Sequence, residues 1–196
     1  MSRSEKFNQW ANLMKKNMII GIILGVILLL LAFGLFNAKK LQHIEITSTV
    51  SITAQKENVY QLISRLENYP KWSPFLAQDP SQKYEVKGTD GQIGAQYHWN
   101  GNKGKDLGYQ EIIKLEPATS IEIKCFIQKP FTASPNFTYE LKETAEGTKV
   151  TQVFKLESGL IDAFFLGLFG VKKEMEQTNQ QGLALLKKLQ NLHKTV

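Results

Sequence analysis

"GLIDAFFLGLFG", residues Gly159–Gly170, is apolar at eight of its twelve positions, and its reading decides the fold. As a second membrane segment it would make this a two-span protein. As a helix following a sheet it becomes the wall of a packed domain. Twelve helical residues reach about 18 Å, against about 30 Å for a hydrocarbon core. Asp162 lies within the stretch, and Lys172 and Lys173 follow it. The stretch therefore reads as the first turns of a helical segment running from about Leu160 to His193, not as a span. Adjacent helical residues point about 100° apart, so Phe164 and Phe165 cannot both face inward. One of them is expected at a pocket mouth, at a membrane surface or on a neighbouring loop.

The helical reading continues through "VKKEMEQTNQQGLALLKKLQNL", where Val171, Met175, Thr178, Leu185, Leu186 and Leu189 fall near one stripe. Gly182 is a weak point there, costing about 1 kcal/mol relative to alanine. Upstream the period changes to two. "SIEIKCFIQKP" alternates, with Ile121, Ile123, Cys125 and Ile127 on one side, and "NFTYELKET" does so with Phe137, Tyr139 and Leu141. In "GAQYHWNGN", Ala95, Tyr97 and Trp99 share a face opposite Gln96, His98 and Asn100. With "KYEVKG", "LGYQEIIKLEP" and "KVTQVFKLE" these are short strands joined by turn signals, as in an antiparallel meander. Before them come a strand, "HIEITSTVSITA", and a helix, "KENVYQLISRLENY". The helix stops at Pro70, and "PKWSPF" follows.

At the other end, Met18–Phe36 runs for 19 residues without a charge, between Lys15–Lys16 and Lys39–Lys40. That length nearly crosses a bilayer, and flanking lysines suit a spanning helix. Ala32-Phe33-Gly34 imitates a signal-peptidase site, but the apolar run exceeds the usual 7–15 residues of a signal peptide and continues beyond it. An uncleaved anchor is expected. The chain then divides into a basic segment (1–17), a transmembrane helix (18–36), a short tether (37–42) and a domain (43–193). More basic residues precede the span than follow it, which leans toward an extracytoplasmic domain.

The net charge of +6 is concentrated in that first part. Residues 1–40 carry six basic side chains and one acid, which leaves the domain close to neutral. A nucleic-acid partner is not expected. Cys125 is the one cysteine, so no intrachain disulfide can form.

The order of elements resembles the START-like (SRPBCC) superfamily, in its polyketide cyclase/dehydrase branch. The resemblance is carried by Ile52–Phe75, Gly91–Asn102, Gly108–Pro130, Glu146–Phe154 and Gly182–Lys188, and spans about residues 43–192. It implies an α+β helix-grip fold, a curved antiparallel sheet wrapped around a long C-terminal helix with a cavity between them. Members of the superfamily hold lipids, sterols, polyketides or other apolar molecules. Some are cyclases or hydrolases, some transfer proteins, some co-chaperones. The fold alone does not choose among these.

Catalytic signatures are sparse. No Cys/His cluster has metal-ligand spacing, and no metal or cofactor is expected. The G-x-S-x-G and P-loop patterns are missing. His98 reads as an exposed strand histidine. Glu111 alternates with Tyr109, Ile113 and Leu115, and Gln152 with Val150, Phe154 and Leu156. If those faces line a cavity, Glu111 is the candidate acid or base, with Tyr97 and Tyr109 as possible partners. A bulge in the strand would turn Glu111 outward instead. The candidate ligand-binding set is Trp72, Phe75, Tyr97, Trp99, Tyr109, Glu111, Cys125, Tyr139, Gln152, Phe154, Phe165 and Phe169. The expected function is a membrane-anchored module binding an apolar small molecule or lipid. The alternatives are an enzyme acting on an apolar substrate and a co-chaperone-like interaction module.

Overall fold

A computed structural model describes residues 3–192; His193, placed by the sequence at the end of the last helix, lies outside them. Helix α1 (Arg3–Ala38) is followed by a 3-10 turn (Lys39–Leu41) and by β1 (His43–Ile52). Next come α2 (Lys56–Ser64), a 3-10 segment (Leu66–Lys71) and the short α3 (Pro74–Gln78). Six strands follow: β2 (Lys83–Lys87), β3 (Gln96–Gly101), β4 (Asp106–Glu116), β5 (Ser120–Lys129), β6 (Asn136–Thr144) and β7 (Gly147–Glu157). The chain closes with α4 (Leu160–Leu168) and α5 (Val171–Leu192).

The strands form one antiparallel sheet in the order β1-β7-β6-β5-β4-β3-β2. The pairing of β1 with β7 is the one that breaks sequence order, and it brings the first strand beside the last. Alternation sets the inner face. Ile44, Ile46 and Ile52 of β1, Ile121 and Ile123 of β5, Phe137, Tyr139 and Leu141 of β6, and Val150, Phe154 and Leu156 of β7 are all buried. Against them pack α2, through Val59, Leu62 and Ile63, and α5, through Leu183 and Leu186. This is the helix-grip arrangement.

Two differences from the sequence reading have local causes. First, β4 carries an irregularity between Ile112 and Lys114. Ile112 pairs with Ile123 and Lys114 with Glu122, so Ile113 has no partner. The extra residue shifts the parity. Gln110 and Ile112 are buried, while Tyr109 and Glu111 turn to the other face. An alternation anchored on Leu115 therefore assigns residues 109–111 to the wrong side. Second, the C-terminal helical segment is two helices. Gly170 adopts φ +66, a left-handed conformation that ends α4 and starts α5 on a new axis.

That break separates two jobs. α5 is the gripped helix, and α4 packs on the end of α1. A Cβ at Gly34 of α1 would lie 2.6 Å from Phe164 Cε2, and one at Gly167 of α4 would lie 2.8 Å from Leu41 Cδ1. Residues 37–42, expected as a tether, continue α1 and its 3-10 turn. Ser158 secures their end, its amide donating to Gln42 O (2.9 Å) and its hydroxyl to Leu41 O (3.2 Å). Among the described residues, one helix is long and apolar enough to cross a membrane. That stretch is Leu13–Leu41, and its most apolar part is left uncovered by the rest of the protein.

Candidate functional site

Between the sheet and α5 lies a cavity of about 340 Å³, within the range that holds small organic ligands. Its sheet wall comes from β5 (Ile123, Cys125, Ile127), β6 (Phe137, Tyr139) and β7 (Gln152, Phe154, Leu156). These residues reach it by strict alternation. The opposite wall is the first half of α5, with Val171, Met175, Thr178 and Asn179, and Gly182 against Pro74 of α3. A Cβ at Gly182 would stand 3.2 Å from Pro74 Cδ, so this glycine lets α3 and α5 approach closely. Tyr69, Trp72 and Phe75 close one side, and Pro130 and Phe131, on the β5–β6 connection, close another. The exposed members of the lining are Phe75, Gln78, Pro130, Phe131 and Glu174, and they mark the mouth.

Aromatic rings build much of the interior in edge-to-face pairs. Tyr69 meets Trp72 at 4.9 Å and Tyr97 at 5.1 Å between ring centroids. Trp72 meets Tyr139 at 6.0 Å, and Phe137 meets Phe154 at 5.1 Å. Polar atoms thread through this wall. Gln152 Nε2 donates to Tyr139 Oη at 2.9 Å, and Cys125 Sγ approaches Gln110 Oε1 at 3.9 Å. Trp99 Nε1 donates to Asp106 at 2.9 Å near the edge of the cavity. Five buried polar atoms on the lining have no protein partner: Trp72 Nε1, Tyr97 Oη, Gln110 Nε2, Gln152 Oε1 and Asn179 Nδ2.

The cavity suppresses ionisation. Burial pushes the Cys125 thiol up to about 12 and raises the Tyr97 and Tyr139 phenols above their ordinary range. Tyr69 is raised well above its usual value. Burial of its hydroxyl is the main cause, reinforced by the neighbouring Tyr139 and opposed by a hydrogen bond with Ser73. All four side chains are neutral at physiological pH. Among the described residues, no lysine, arginine or histidine lines the cavity, and its two acids are Asp106 and the exposed Glu174.

Of the residues singled out in the sequence, Trp72, Phe75, Tyr97, Trp99, Cys125, Tyr139, Gln152 and Phe154 meet on this cavity. Tyr109 and Glu111 lie on the outer face of the sheet. Glu111 accepts from Gln96 Nε2 at 2.8 Å, and Tyr109 stacks between His98 and Phe126 at 5.0 and 4.6 Å. The parity shift at Ile113 puts them there. Phe165 and Phe169 are also away from the cavity, exposed on α4. Sequence reasoning misses Gln110, Asn179 and Tyr69. A signal for Asn179 exists, since it sits four residues after Met175 and four before Leu183 on one helical face. Gln110 is hidden by the bulge.

Comparison with known proteins fits this architecture. Residues 43–190 match the family described as polyketide cyclase / dehydrase and lipid transport, and the chain belongs to that family. No curated protein matches it. Protein SA2116 from Staphylococcus aureus superposes with a TM-score of 0.61 at 14% identity, covering 79% of this chain and 97% of that one. Protein CV1439 from Chromobacterium violaceum gives 0.55 at 17%, covering 74% and 96%. Protein Ms6760 from Mycobacterium smegmatis gives 0.54 at 20%, covering 80% and 94%. At these identities the likeness is one of fold.

Proposed function

We propose that this protein is a membrane-anchored binding module that holds a lipid or another apolar molecule in the cavity between the sheet and α5. The observation that carries the reading is the cavity itself. It is large enough for a ligand, walled by aromatic and aliphatic side chains, and uncharged in its buried part. The family's description, which includes lipid transport, supports it.

In this reading α1 crosses the bilayer and α4 rests on the membrane surface. Ile161, Phe165, Leu168 and Phe169 are 48–71% exposed on α4, a large apolar area for a helix in water. The same helix is seated on the end of α1, so its apolar face continues that of the span. Val171, one residue past the break that ends α4, lines the cavity. A ligand could thus pass between bilayer and cavity over a short path. By the charge balance around α1, the domain stands on the extracytoplasmic side. Protease protection of the domain in intact cells checks that side.

The test of the binding reading is native mass spectrometry of the full chain extracted in mild detergent. A bound apolar molecule in about one-to-one ratio is expected. A protein that neither carries nor takes up such a molecule overturns the reading. Of the three residues on which the enzymatic alternative rests, Glu111 and Tyr109 face away from the cavity, and Tyr97, whose phenol burial keeps neutral, lines it.

A further inference from the structure

Native interiors rarely leave buried polar groups unpaired, because each such group costs about 1–3 kcal/mol. Here five of them line one cavity. Trp72, Tyr97, Gln110, Gln152 and Asn179 are each more than nine-tenths buried, and each has a polar atom without a protein partner. They are not scattered. Tyr69 bridges Trp72 and Tyr97 through ring contacts, Trp72 meets Tyr139, and Tyr139 is bonded to Gln152. Gln110 reaches the same group through Cys125, which lies beside Tyr139, and Asn179 faces the cavity from α5.

The kind of atom matters as much as the place. The indole of Trp72 can only donate, as can the free amide nitrogens of Gln110 and Asn179. The Tyr97 hydroxyl can donate or accept, and Gln152 Oε1 accepts. Donors therefore outnumber acceptors, which calls for an oxygen on the ligand. A carboxylate or phosphate would lose its hydration with no cation to replace it. An ammonium would meet donors and no buried carboxylate. An unbroken hydrocarbon would leave all five groups unpaired.

We propose that the ligand of this cavity carries an uncharged oxygen, a carbonyl or hydroxyl, seated among Trp72, Tyr97, Gln110, Gln152 and Asn179. Its apolar remainder runs along Phe137, Phe154 and Met175 toward the mouth. This assignment rests on the binding reading above and gives it a chemical class.

The test uses the full chain in detergent micelles and ten-carbon probes that differ only at the head: 2-decanone, 1-decanol, decanoate, decylamine and decane. Bound probe is counted by native mass spectrometry at neutral pH. The ketone and alcohol are expected to be retained roughly tenfold better than the other three, the effect of about 1.4 kcal/mol. Tyr97→Phe and Gln110→Met, which remove polar atoms with little change in volume, should each lower ketone retention roughly fivefold. Equal retention of decane and 2-decanone, or variants that bind the ketone as the wild type does, overturns the assignment and leaves the cavity as a plain apolar site. A preference for decanoate or decylamine overturns it in favour of a charged head. Retention of no probe by the wild type removes the binding reading itself. Circular dichroism checks that the variants fold. If either does not, the wild-type ranking decides alone.

Discussion

Gly34 of α1 lies directly beneath the ring of Phe164 on α4, where a single added carbon would stand 2.6 Å from Phe164 Cε2. Two apolar helices far apart in sequence thus meet at a residue with no side chain. Gly34→Leu should pry α4 off α1 without unfolding the sheet domain. Cysteines introduced at positions 41 and 167, where a Cβ at Gly167 would lie 2.8 Å from Leu41 Cδ1, joined by a short bifunctional reagent, report the distance. Efficient cross-linking is expected when Gly34 is kept, with at least a severalfold loss when Gly34→Leu is added. Equal cross-linking would mean that the helices accommodate the side chain.

Phe165 and Phe169 stack on one another at 6.4 Å between centroids and are 48% and 70% exposed. Their truncation empties no core. Phe165→Ala and Phe169→Ala should each change stability by less than about 0.5 kcal/mol, the usual range for surface positions. Both should slow uptake of a fluorescent lipid from vesicles severalfold. A large drop in melting temperature with unchanged uptake would place these rings in a structural role.

Gln110 and Glu111 are neighbours on opposite faces of β4. Gln110→Leu should alter ligand retention, because it replaces a cavity amide. Glu111→Gln should leave retention unchanged, because that side chain bonds to Gln96 on the outside. Measuring both variants with the same ligand checks the strand's parity. The reverse result would mean that β4 is shifted by one residue.

Cys125 supplies a prediction in pH. Its folded thiol is pushed up to about 12 by burial, above the ordinary value of 9.0 that the unfolded chain retains. A group raised on folding favours the folded state below its unfolded value, and that advantage is lost as pH rises toward the folded one. From pH 9 upward stability should fall, at up to about 1.4 kcal/mol per pH unit from this group. Tyr69, Tyr97 and Tyr139, also raised, join above pH 10. Denaturant melts between pH 9 and 10 should therefore show a weaker pH dependence in Cys125→Ala than in the wild type. Identical slopes would show that the thiol titrates freely.

Much of this architecture is written in simple periodicities. The alternation of Ile121, Ile123 and Cys125, and of Phe137 and Tyr139, marks the inner face because paired strands leave one side for the core. The uncharged run from Met18 to Phe36 marks the apolar helix by length alone. What escaped has equally physical causes. A bulge at Ile113 moves two side chains across the sheet with no signature in composition. Gly170 divides two helices because it takes a positive φ, and Gly182, which looks like a weakness, is where α5 touches Pro74. Asn179 looks like an ordinary polar residue until Met175 and Leu183 are placed on the same face. The seat of α4 on α1 depends on long-range packing that no local pattern records.

The hydrogen bonds from Ser158 to Leu41 and Gln42, together with the register of His43 with Glu157, hold the start of β1 and the end of β7 at the root of α1. Among the described residues, no free linker remains between α1 and the sheet. With α1 in a bilayer, the domain is mounted as a bracket and not as a float on a line. Its reach is then its own radius, and its heading is set by the tilt of α1. A distant acceptor would have to come to the mouth, since the mouth cannot travel to it.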